Sequence, residues 1–326
     1  MLNYKSFIVV LFQRKEISVA TILLGTITFF YSIQPVFLSP SNVDVLLRIT
    51  PELGIVALGI TLLMIGGEFD LSVGSVFGFI PMFTILLIEN GVHPILAIVS
   101  GLLLAAAVGL VHGVVTVKTG IPSFITTLGG LLIWRGVSLA VTGGLPKYMT
   151  MPEEIAFLFT GKIAPFTHMQ MVWFFALAGF FYYILERTKF GNWIYATGGK
   201  KEVARAMGVN TDHVKIILFI LSSLMAGLGG IIQSMRLGQA LPNQGDGLEF
   251  DAIAVAVIGG TSLFGGSGTL IGTVIAEYLS RIIENGLIII RAPSYYFRLY
   301  IGLVIIIAVT VNVYILRRSI RSRIES

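Results

Sequence analysis

Long apolar stretches separated by short polar segments run through the whole chain. A helix needs about 20 apolar residues to cross a bilayer core, and ten stretches approach that length. They are Ile17–Ile33, Leu53–Ile65, Leu71–Ile88, Ile95–Val117, Ile121–Val141, Met171–Leu185, Val214–Met235, Phe250–Leu263, Leu270–Ile290 and Leu299–Leu316. The pattern predicts an all-α, polytopic membrane protein with about ten transmembrane helices, some of them broken, in a single domain over residues 1–326.

Two of these stretches are short for a complete crossing. We expect the helix that contains Leu53–Ile65 to begin earlier, near Val43, and to bend at Pro51. Phe250–Leu263 ends in a glycine-rich stretch. The residues before Ile17 lack the features of a cleavable signal peptide, and we expect them to form an interfacial segment.

Composition supports a membrane protein and excludes several chemistries. The chain is 55% hydrophobic and 12% charged, whereas soluble domains carry about 25% charged residues. It has no cysteine and four scattered histidines, so neither a disulfide nor a metal site is predicted. No G-x-x-x-x-G-K-[ST] motif is present, so we expect no ATP site of that type, no cofactor and no catalytic residue in this chain.

The positive charges indicate the orientation in the membrane. Ten crossings place both termini on one side, and the cytoplasmic side is the one enriched in lysine and arginine. Fourteen of these residues fall on the predicted cytoplasmic side and six on the other, and the six are Arg48, Lys147, Lys162, Arg236, Arg291 and Arg298. The net charge of +5 therefore indicates orientation in the membrane rather than nucleic-acid binding.

A polar interruption, IGGEFDLSVGS, falls at Ile65–Ser75 between two apolar stretches. One interpretation is a turn at the membrane surface, in which Asp70 caps the following helix. The other is a discontinuous helix beside a substrate path, because broken helices of transporters face a cavity. A related sequence, IGGTSLFGGS, occurs at Ile258–Ser267. Matching interruptions in two halves of a transporter point to a central site, although a short, glycine-rich match also arises by chance.

Small and charged residues recur within the spans. Gly101, Ala105, Gly109 and Gly113 follow one another every four residues, which predicts close helix packing rather than a pore lining. Glu277 and Arg281 are four residues apart and are expected to neutralise each other. A proton relay at Glu277 is the alternative.

Polar segments on the two sides suggest docking surfaces. The loop Arg236–Asp251 carries Asn243 and several carboxylates. It is either an ordinary solvated loop or a surface for an extracytoplasmic partner.

On the cytoplasmic side, residues 190–215 contain a short amphipathic helix between Gly198-Gly199 and Gly208. Glycine at the end of a helix favours a left-handed stop. The apolar face, formed by Val203, Ala206 and Met207, is too small for firm lipid binding, so a protein groove is the favoured partner.

Four segments together resemble a known family. They are IGGEFDLSVGS, IPSFITTLGGLLIWRGVSLAVTGG, FGNWIYATGGKKEVARAMGVN and FDAIAVAVIGGTSLFGGSGTLIGT. The chain resembles, from about Ile17 to Asn312, permease subunits of bacterial ABC importers for simple sugars of the ribose, xylose and autoinducer-2 type. One departure is that Glu68 and Phe69 add a residue and a charge before Leu71-Ser72-Val73.

The resemblance implies a set of partners. A second permease chain, identical or not, would complete the path, a cytoplasmic subunit would bind ATP, and an extracytoplasmic sugar-binding protein would dock outside. The coupling contact with the ATP-binding subunit is assigned to Gly198, Gly199, Glu202, Ala204, Arg205, Met207 and Gly208. For the substrate path we select Phe69, Asp70, Phe124, Thr126, Asn243 and Phe264, because sugars need aromatic faces with amide or carboxylate partners.

The sequence thus predicts a multi-pass permease of the bacterial inner membrane, with both termini cytoplasmic, that imports a monosaccharide or similar polar solute by ATP-driven alternating access. The alternatives are an ABC permease for nucleosides or branched-chain amino acids, and a proton-coupled secondary transporter that uses Asp70 or Glu277.

Overall fold

The structure is a computed structural model that describes residues 15–293, 295–304, 306 and 310. Its long helices are α1 (Lys15–Ile33), α2 (Pro40–Ile65), α3 (Val73–Glu89), α4 (Pro94–Thr119), α5 (Ser123–Thr142), α7 (Met169–Arg187), α10 (Thr211–Leu237) and α12 (Leu270–Ile289). Its short helices are α6 (Glu153–Thr160), α8 (Lys189–Gly199), α9 (Lys201–Ala206) and α11 (Leu248–Ile258). A 3₁₀ turn covers Pro35–Leu38, and residues 295–304 are helical and are called α13.

Six of these helices, α1, α2, α4, α5, α7 and α10, are long and apolar enough to cross a membrane. The shorter apolar helix α3 has 17 residues, and α12 has 20 residues with three charged ones among them. The chain is therefore an all-α, multi-pass membrane protein, as its pattern predicted. Most of the predicted interfacial segment (residues 1–16) and most of the last predicted span lie outside the described residues, and Lys15 and Glu16 already belong to α1.

The predicted spans need two adjustments. The helix containing Leu53 begins at Pro40, earlier even than expected. The stretch Phe250–Leu263 is helical only to Ile258, because Gly259 and Gly260 end α11 after 11 residues. This helix is about 16 Å long at 1.5 Å per residue, roughly half of a bilayer core.

The centre of the bundle is α10, which packs against α2, α3 and α4. Glycines allow these close approaches. A methyl group added to Gly59 of α2 would lie 3.1 Å from the Cα atom of Ser222, and one on Gly109 of α4 would lie 2.7 Å from that of Ile220. The predicted row of Gly101, Ala105, Gly109 and Gly113 is therefore a packing face.

The loops fall into two groups at opposite ends of the bundle. The Gly198 face contains the end of α2, the α8–α9 segment, the start of α10 and residues 259–269. The Lys147 face contains two small antiparallel sheets, in which β1 (Lys147–Tyr148) pairs with β4 (Gln239–Ala240) and β2 (Lys162–Ala164) pairs with β3 (Thr167–His168). This grouping of loops is the one that the alternating crossings predicted.

Candidate functional site

The first candidate element is a break between α2 and α3. Gly67 ends α2 in the left-handed conformation, with φ +84°, which glycine adopts without a steric cost. Three backbone hydrogen bonds close the helix end: Gly66 to Leu62 (3.1 Å), Gly67 to Met64 (2.9 Å) and Glu68 to Leu63 (3.2 Å). Residues 66–72 then run without helical structure until α3 begins at Val73.

Side chains satisfy the backbone of this break. The Phe69 N–H donates to Ser123 Oγ and the Leu71 N–H to Thr127 Oγ1, each at 3.0 Å. The Ser72 N–H donates to Asp70 Oδ1 at 2.9 Å. Buried backbone N–H groups need such partners, so the hydroxyls of α5 stabilise the backbone of the break.

Asp70 lies in the protein interior, fully buried. Its Oδ1 accepts the Ser72 hydroxyl at 2.5 Å, and its Oδ2 accepts the Ser222 hydroxyl of α10 at 3.0 Å. Asp70 makes the cap-like bond to Ser72 that the first interpretation expected. The chain is broken between two helices here, and a position of this break beside the substrate path stays a prediction.

A chain of hydrogen bonds extends from Asp70 to α4 and α5. Trp134 Nε1 lies 3.4 Å from His112 Nε2, and His112 Nδ1 lies 3.2 Å from Ser72 Oγ. Since an indole nitrogen only donates, His112 accepts at Nε2 and donates from Nδ1 to Ser72, which donates in turn to Asp70. This arrangement fixes the tautomer of the imidazole and joins three helices around the break.

The second break repeats the first at its start. Gly259 donates to Val255 (2.9 Å), Gly260 to Val257 (2.9 Å) and Thr261 to Ala256 (3.0 Å), which is the hydrogen-bond pattern found at Gly66, Gly67 and Glu68. Gly260 has φ +94°. The Ile-Gly-Gly sequence that the two interruptions share therefore forms the same helix ending in both.

The later parts of the two matching sequences, IGGEFDLSVGS and IGGTSLFGGS, adopt different structures. Gly74 lies within α3, whereas Gly266 lies in the loop with φ +72°. The first break has Asp70 to start a new helix, but the second has no acidic residue, and its loop continues to Thr269, whose hydroxyl caps α12.

Three glycine pairs from separate segments meet on the Gly198 face: Gly66-Gly67, Gly198-Gly199 and Gly265-Gly266. We call this contact the glycine junction. A methyl group on Gly198 would lie 2.7 Å from Gly266 N and 2.9 Å from Gly66 C, and one on Gly265 would lie 2.8 Å from Gly67 Cα. The Gly266 N–H also donates to Ile65 O at 2.8 Å. Both breaks therefore contact the segment that precedes α9.

The short helix α9 has the predicted bounds, with a left-handed stop at Gly208 (φ +84°). Val203 and Met207 are 55% and 80% exposed, so the predicted apolar face is open. Glu202 and Arg205 are also exposed. Ala204 is buried against its own chain at 3% exposure, and it therefore supports α9 instead of presenting a docking surface.

Polar contacts attach α9 and α8 to their neighbours. Arg205 pairs with Asp212 and donates to Thr211 Oγ1 at 2.9 Å, which fixes α9 to the first turn of α10. The Tyr195 hydroxyl lies 2.8 Å from Glu186 Oε1 and 3.1 Å from Gly268 O. Burial, followed by the hydrogen bond to Glu186, raises the pKa of Tyr195 above its usual range, so the hydroxyl keeps its proton.

Glu68, the residue in which this chain departs from the resembled motif, forms an ion pair with Lys215 of α10. Both side chains are about nine-tenths buried, at 12% and 11% exposure. A pair this buried needs both partners, because the loss of either leaves an isolated charge. The ion pair therefore links the first break to the start of α10.

The six selected path residues do not come together in one place. Phe69 is half-buried in the first break, next to the fully buried Asp70. Phe124 and Phe264 are 51% and 54% exposed, and Thr126 Oγ1 is buried without a partner in the described part of the chain. Asn243 lies at the other end of the bundle from Phe264.

Asn243 lines a cleft of about 510 Å³ on the Lys147 face, with Arg135 and Asp246 among its other polar residues. Arg135 Nη1 donates to Pro242 O and Gln244 O, each at 2.9 Å. The cleft therefore combines a fixed cation with an amide and a carboxylate.

Sequence reasoning missed Ser123, Thr127, His112 and Ser222, which hold the first break. It selected Phe124 and Thr126, each one position away from the residues in contact. A spacing of four between Ser123 and Thr127 puts both hydroxyls on one helix face, and that spacing was the available signal. No such signal marks His112, because its partners come from distant segments.

Glu277 and Arg281 pair at 3.1 Å, and Arg281 also reaches Glu284 at 2.6 Å, so the predicted neutralisation is present. Glu277 Oε2 has no hydrogen-bond partner within the described ranges. Among those same residues, no group of three metal-ligating side chains was found.

Broken helices within a membrane bundle are typical of transport proteins. The family model of the branched-chain amino acid transport system / permease component matches residues 42–309, and the chain belongs to this family of permeases. It is a transport subunit rather than an enzyme.

Curated relatives cover most of the chain. The ribose import permease protein of Escherichia coli (strain K12) is 34% identical over 93% of this chain and 94% of its own length. The xylose/arabinose import permease protein of Sulfolobus acidocaldarius is 33% identical over 89% and 83%. The autoinducer 2 import system permease protein of Photorhabdus luminescens is 34% identical over 85% and 81%. No solved structure matches the chain.

Proposed function

We propose that this chain is the permease subunit of an ABC importer that moves a monosaccharide, or a polar solute of similar size, into the cell. Its similarity to permeases for ribose, xylose/arabinose and autoinducer 2 carries the proposal. The broken helices supply the architecture for alternating access. ATP binding and hydrolysis take place on a separate subunit, and a second permease chain completes the path.

The Gly198 face is proposed as the cytoplasmic face, with both termini on the same side, in the bacterial inner membrane. The excess of lysine and arginine in the segments on that side supports this orientation. The extracytoplasmic binding protein then docks on the Lys147 face. The cleft containing Asn243 is proposed as the entry point for the solute, because its amide and charged groups offer hydrogen bonds to hydroxyl groups.

Phe69, Phe124, Thr126 and Phe264 remain proposed path residues. Asp70 is buried in this conformation, so its carboxylate meets the solute only when the first break moves. In this proposal the hydroxyl and carboxylate groups around the break replace water around a polyol during its passage.

Reconstitution in proteoliposomes tests the proposal. The permease with its ATP-binding subunit and binding protein is expected to concentrate radiolabelled ribose, xylose or arabinose only with internal ATP. Leucine and nucleosides serve as competitor solutes, and their uptake in place of the sugars would contradict the assigned substrate class. Uptake by this chain alone, driven by a proton gradient, would instead show a secondary transporter.

The exposed face of α9 gives a sharper test of the partner. Met207→Glu places a carboxylate on an apolar surface that is expected to enter a groove of the ATP-binding subunit, so copurification and uptake should fall by about tenfold or more. Tyr148→Glu is the matched control, because Tyr148 is 74% exposed on the Lys147 face. It should copurify normally. Equal copurification of the two variants would show that α9 is not the docking surface.

A further inference from the structure

The glycine junction gives this chain a specific route for coupling. We infer that Gly198 is a positioning residue through which the α8–α9 segment acts on both helix breaks at once, by direct backbone contact. The inference rests on the proposed function, in which α9 follows the ATP-binding subunit. The inference also identifies the contact at which a movement of α9 is passed to the helix bundle.

The backbones of the three glycine segments in the junction lie very close together. Gly198 lies between the two breaks, so an added methyl group would meet both Gly266 N and Gly66 C within 3 Å. Real Cβ atoms essentially never approach other heavy atoms so closely. Because the contacts are between backbone atoms, no side chain can rotate away to absorb a displacement of α8.

The two breaks also contact each other. The Gly266 N–H donates to Ile65 O at 2.8 Å, which joins the loop of the second break to the end of α2. Tyr195, one turn before Gly198, lies 3.1 Å from Gly268 O in the same loop. A movement of α8 would therefore reach the second break through Gly198 and Tyr195, and the first break through Gly198 alone.

Each break is joined in turn to helices of the bundle. The first leads within a few residues to Asp70 and its bond to Ser222 of α10. The second leads to α12, where Thr273 Oγ1 lies 2.8 Å from Thr61 Oγ1 of α2. A displacement at Gly198 would thus reach α10 through the first break and α12 through the second.

A glycine outside the junction provides a matched control. Gly179 lies within α7, and neither Gly198 nor Gly179 has a left-handed φ. A methyl group on Gly179 would meet no heavy atom within 4 Å beyond its own helix. Gly198→Ala and Gly179→Ala therefore differ in the junction and not in backbone preference.

The experiment compares these variants in the reconstituted complex, with uptake and ATP hydrolysis measured on the same proteoliposomes. Gly198→Ala should assemble and hydrolyse ATP but lose uptake per ATP by about tenfold, within the usual range of coupling between sites. Gly179→Ala should retain the wild-type ratio. A wild-type ratio for Gly198→Ala, or an equal loss in both variants, would overturn the inference.

Tyr195→Phe keeps the inference testable if Gly198→Ala fails to assemble. This variant removes the hydroxyl that lies near both Glu186 Oε1 and Gly268 O, and it should lower the ratio of uptake to hydrolysis. A failed assembly of Gly198→Ala combined with a normal ratio for Tyr195→Phe would also overturn the inference. Absence of ATP-driven uptake by the wild-type complex is a separate outcome, since it contradicts the proposed function itself.

Discussion

Asp70 shows how one buried carboxylate organises a break in a membrane helix. An isolated buried charge is costly, and this one is stabilised by three donors, the Ser72 N–H and the hydroxyls of Ser72 and Ser222. These donors come from the break itself and from α10. The residue therefore fixes the position of α3 relative to the central helix.

Replacing Asp70 should destabilise the protein more than replacing one of its partners. Asp70→Ala leaves three buried donors without an acceptor, and each unsatisfied group costs about 1–3 kcal/mol. Ser222→Ala leaves one buried acceptor, Asp70 Oδ2, without its donor, at a cost of about 1–3 kcal/mol. Thermal denaturation in detergent should show a clearly larger decrease of the midpoint for Asp70→Ala. Equal decreases would mean that the carboxylate does not organise the break.

Gly67 and Gly260 show which residue features a helix break requires. Both have a left-handed φ, a conformation that places the Cβ atom of other residues too close to the backbone. Glycine at these positions therefore ends the helix and allows the chain to turn within the bundle.

At the scale of elements, the first break is held to α10 by Glu68 and Lys215. The two residues are far apart in the chain, and the pair is largely buried. Breaking a buried pair from one side typically costs about 3–5 kcal/mol. The link also ties the break to the helix that begins directly after α9.

A charge exchange tests this link. Glu68→Lys and Lys215→Glu should each reduce folded protein and uptake strongly, since each places two like charges together. The double variant should recover a substantial part of both, because the pair is restored in reverse order. Purified yield, thermal midpoint and ATP-driven uptake are the measurements. Losses in the double variant that merely add would exclude a direct interaction.

A second ion pair stabilises the same two helices near the other end of the bundle. Glu52 of α2 pairs with Arg236 of α10, and Gln233 Nε2 donates to Glu52 Oε2 at 3.0 Å. With Gly59 packed on Ser222 between the two pairs, α2 and α10 are in contact along most of their length.

At the scale of the whole molecule, the two groups of loops lie at opposite ends of one hydrophobic core. The Lys147 face is held together by ion pairs between separate segments, Lys147 with Glu89 at 2.8 Å and Lys162 with Asp44 at 2.9 Å. The Gly198 face combines ion pairs, Glu68 with Lys215 and Arg205 with Asp212, with the backbone contacts of the glycine junction. The glycine junction therefore adds to the ion pairs of this face and does not replace them.

The orientation of the two faces is directly measurable, because the chain contains no cysteine. Tyr148→Cys should react with a membrane-impermeant maleimide in intact spheroplasts. Met207→Cys should react only after the membrane is opened, since the positive-inside distribution places it in the cytoplasm. Both residues are strongly exposed, at 74% and 80%. The reverse pattern of labelling would invert the proposed topology.

Much of the fold was predictable from the sequence because bilayer thickness imposes a length on every crossing. The apolar stretches located the helices, and glycines such as Gly208 located their ends. The lengths of α3 and α11 were less predictable, since a helix that stops inside the bundle needs partners from elsewhere. The break at Gly66 was visible in the sequence, but its partners Ser123 and Thr127 were not identified, because they lie more than 50 residues further along the chain.

The sequence by itself determined the class of protein, the number of apolar stretches, the grouping of loops and the existence of a glycine-bracketed helix. These properties follow from local pattern and from the energetic requirements of the bilayer. Only the tertiary structure decided that Asp70 is interior, that Glu68 pairs with Lys215, that Ala204 faces inward and that Gly66, Gly198 and Gly266 meet. Such contacts join segments separated by tens to hundreds of residues, and glycine has no side chain whose pattern could reveal a distant neighbour.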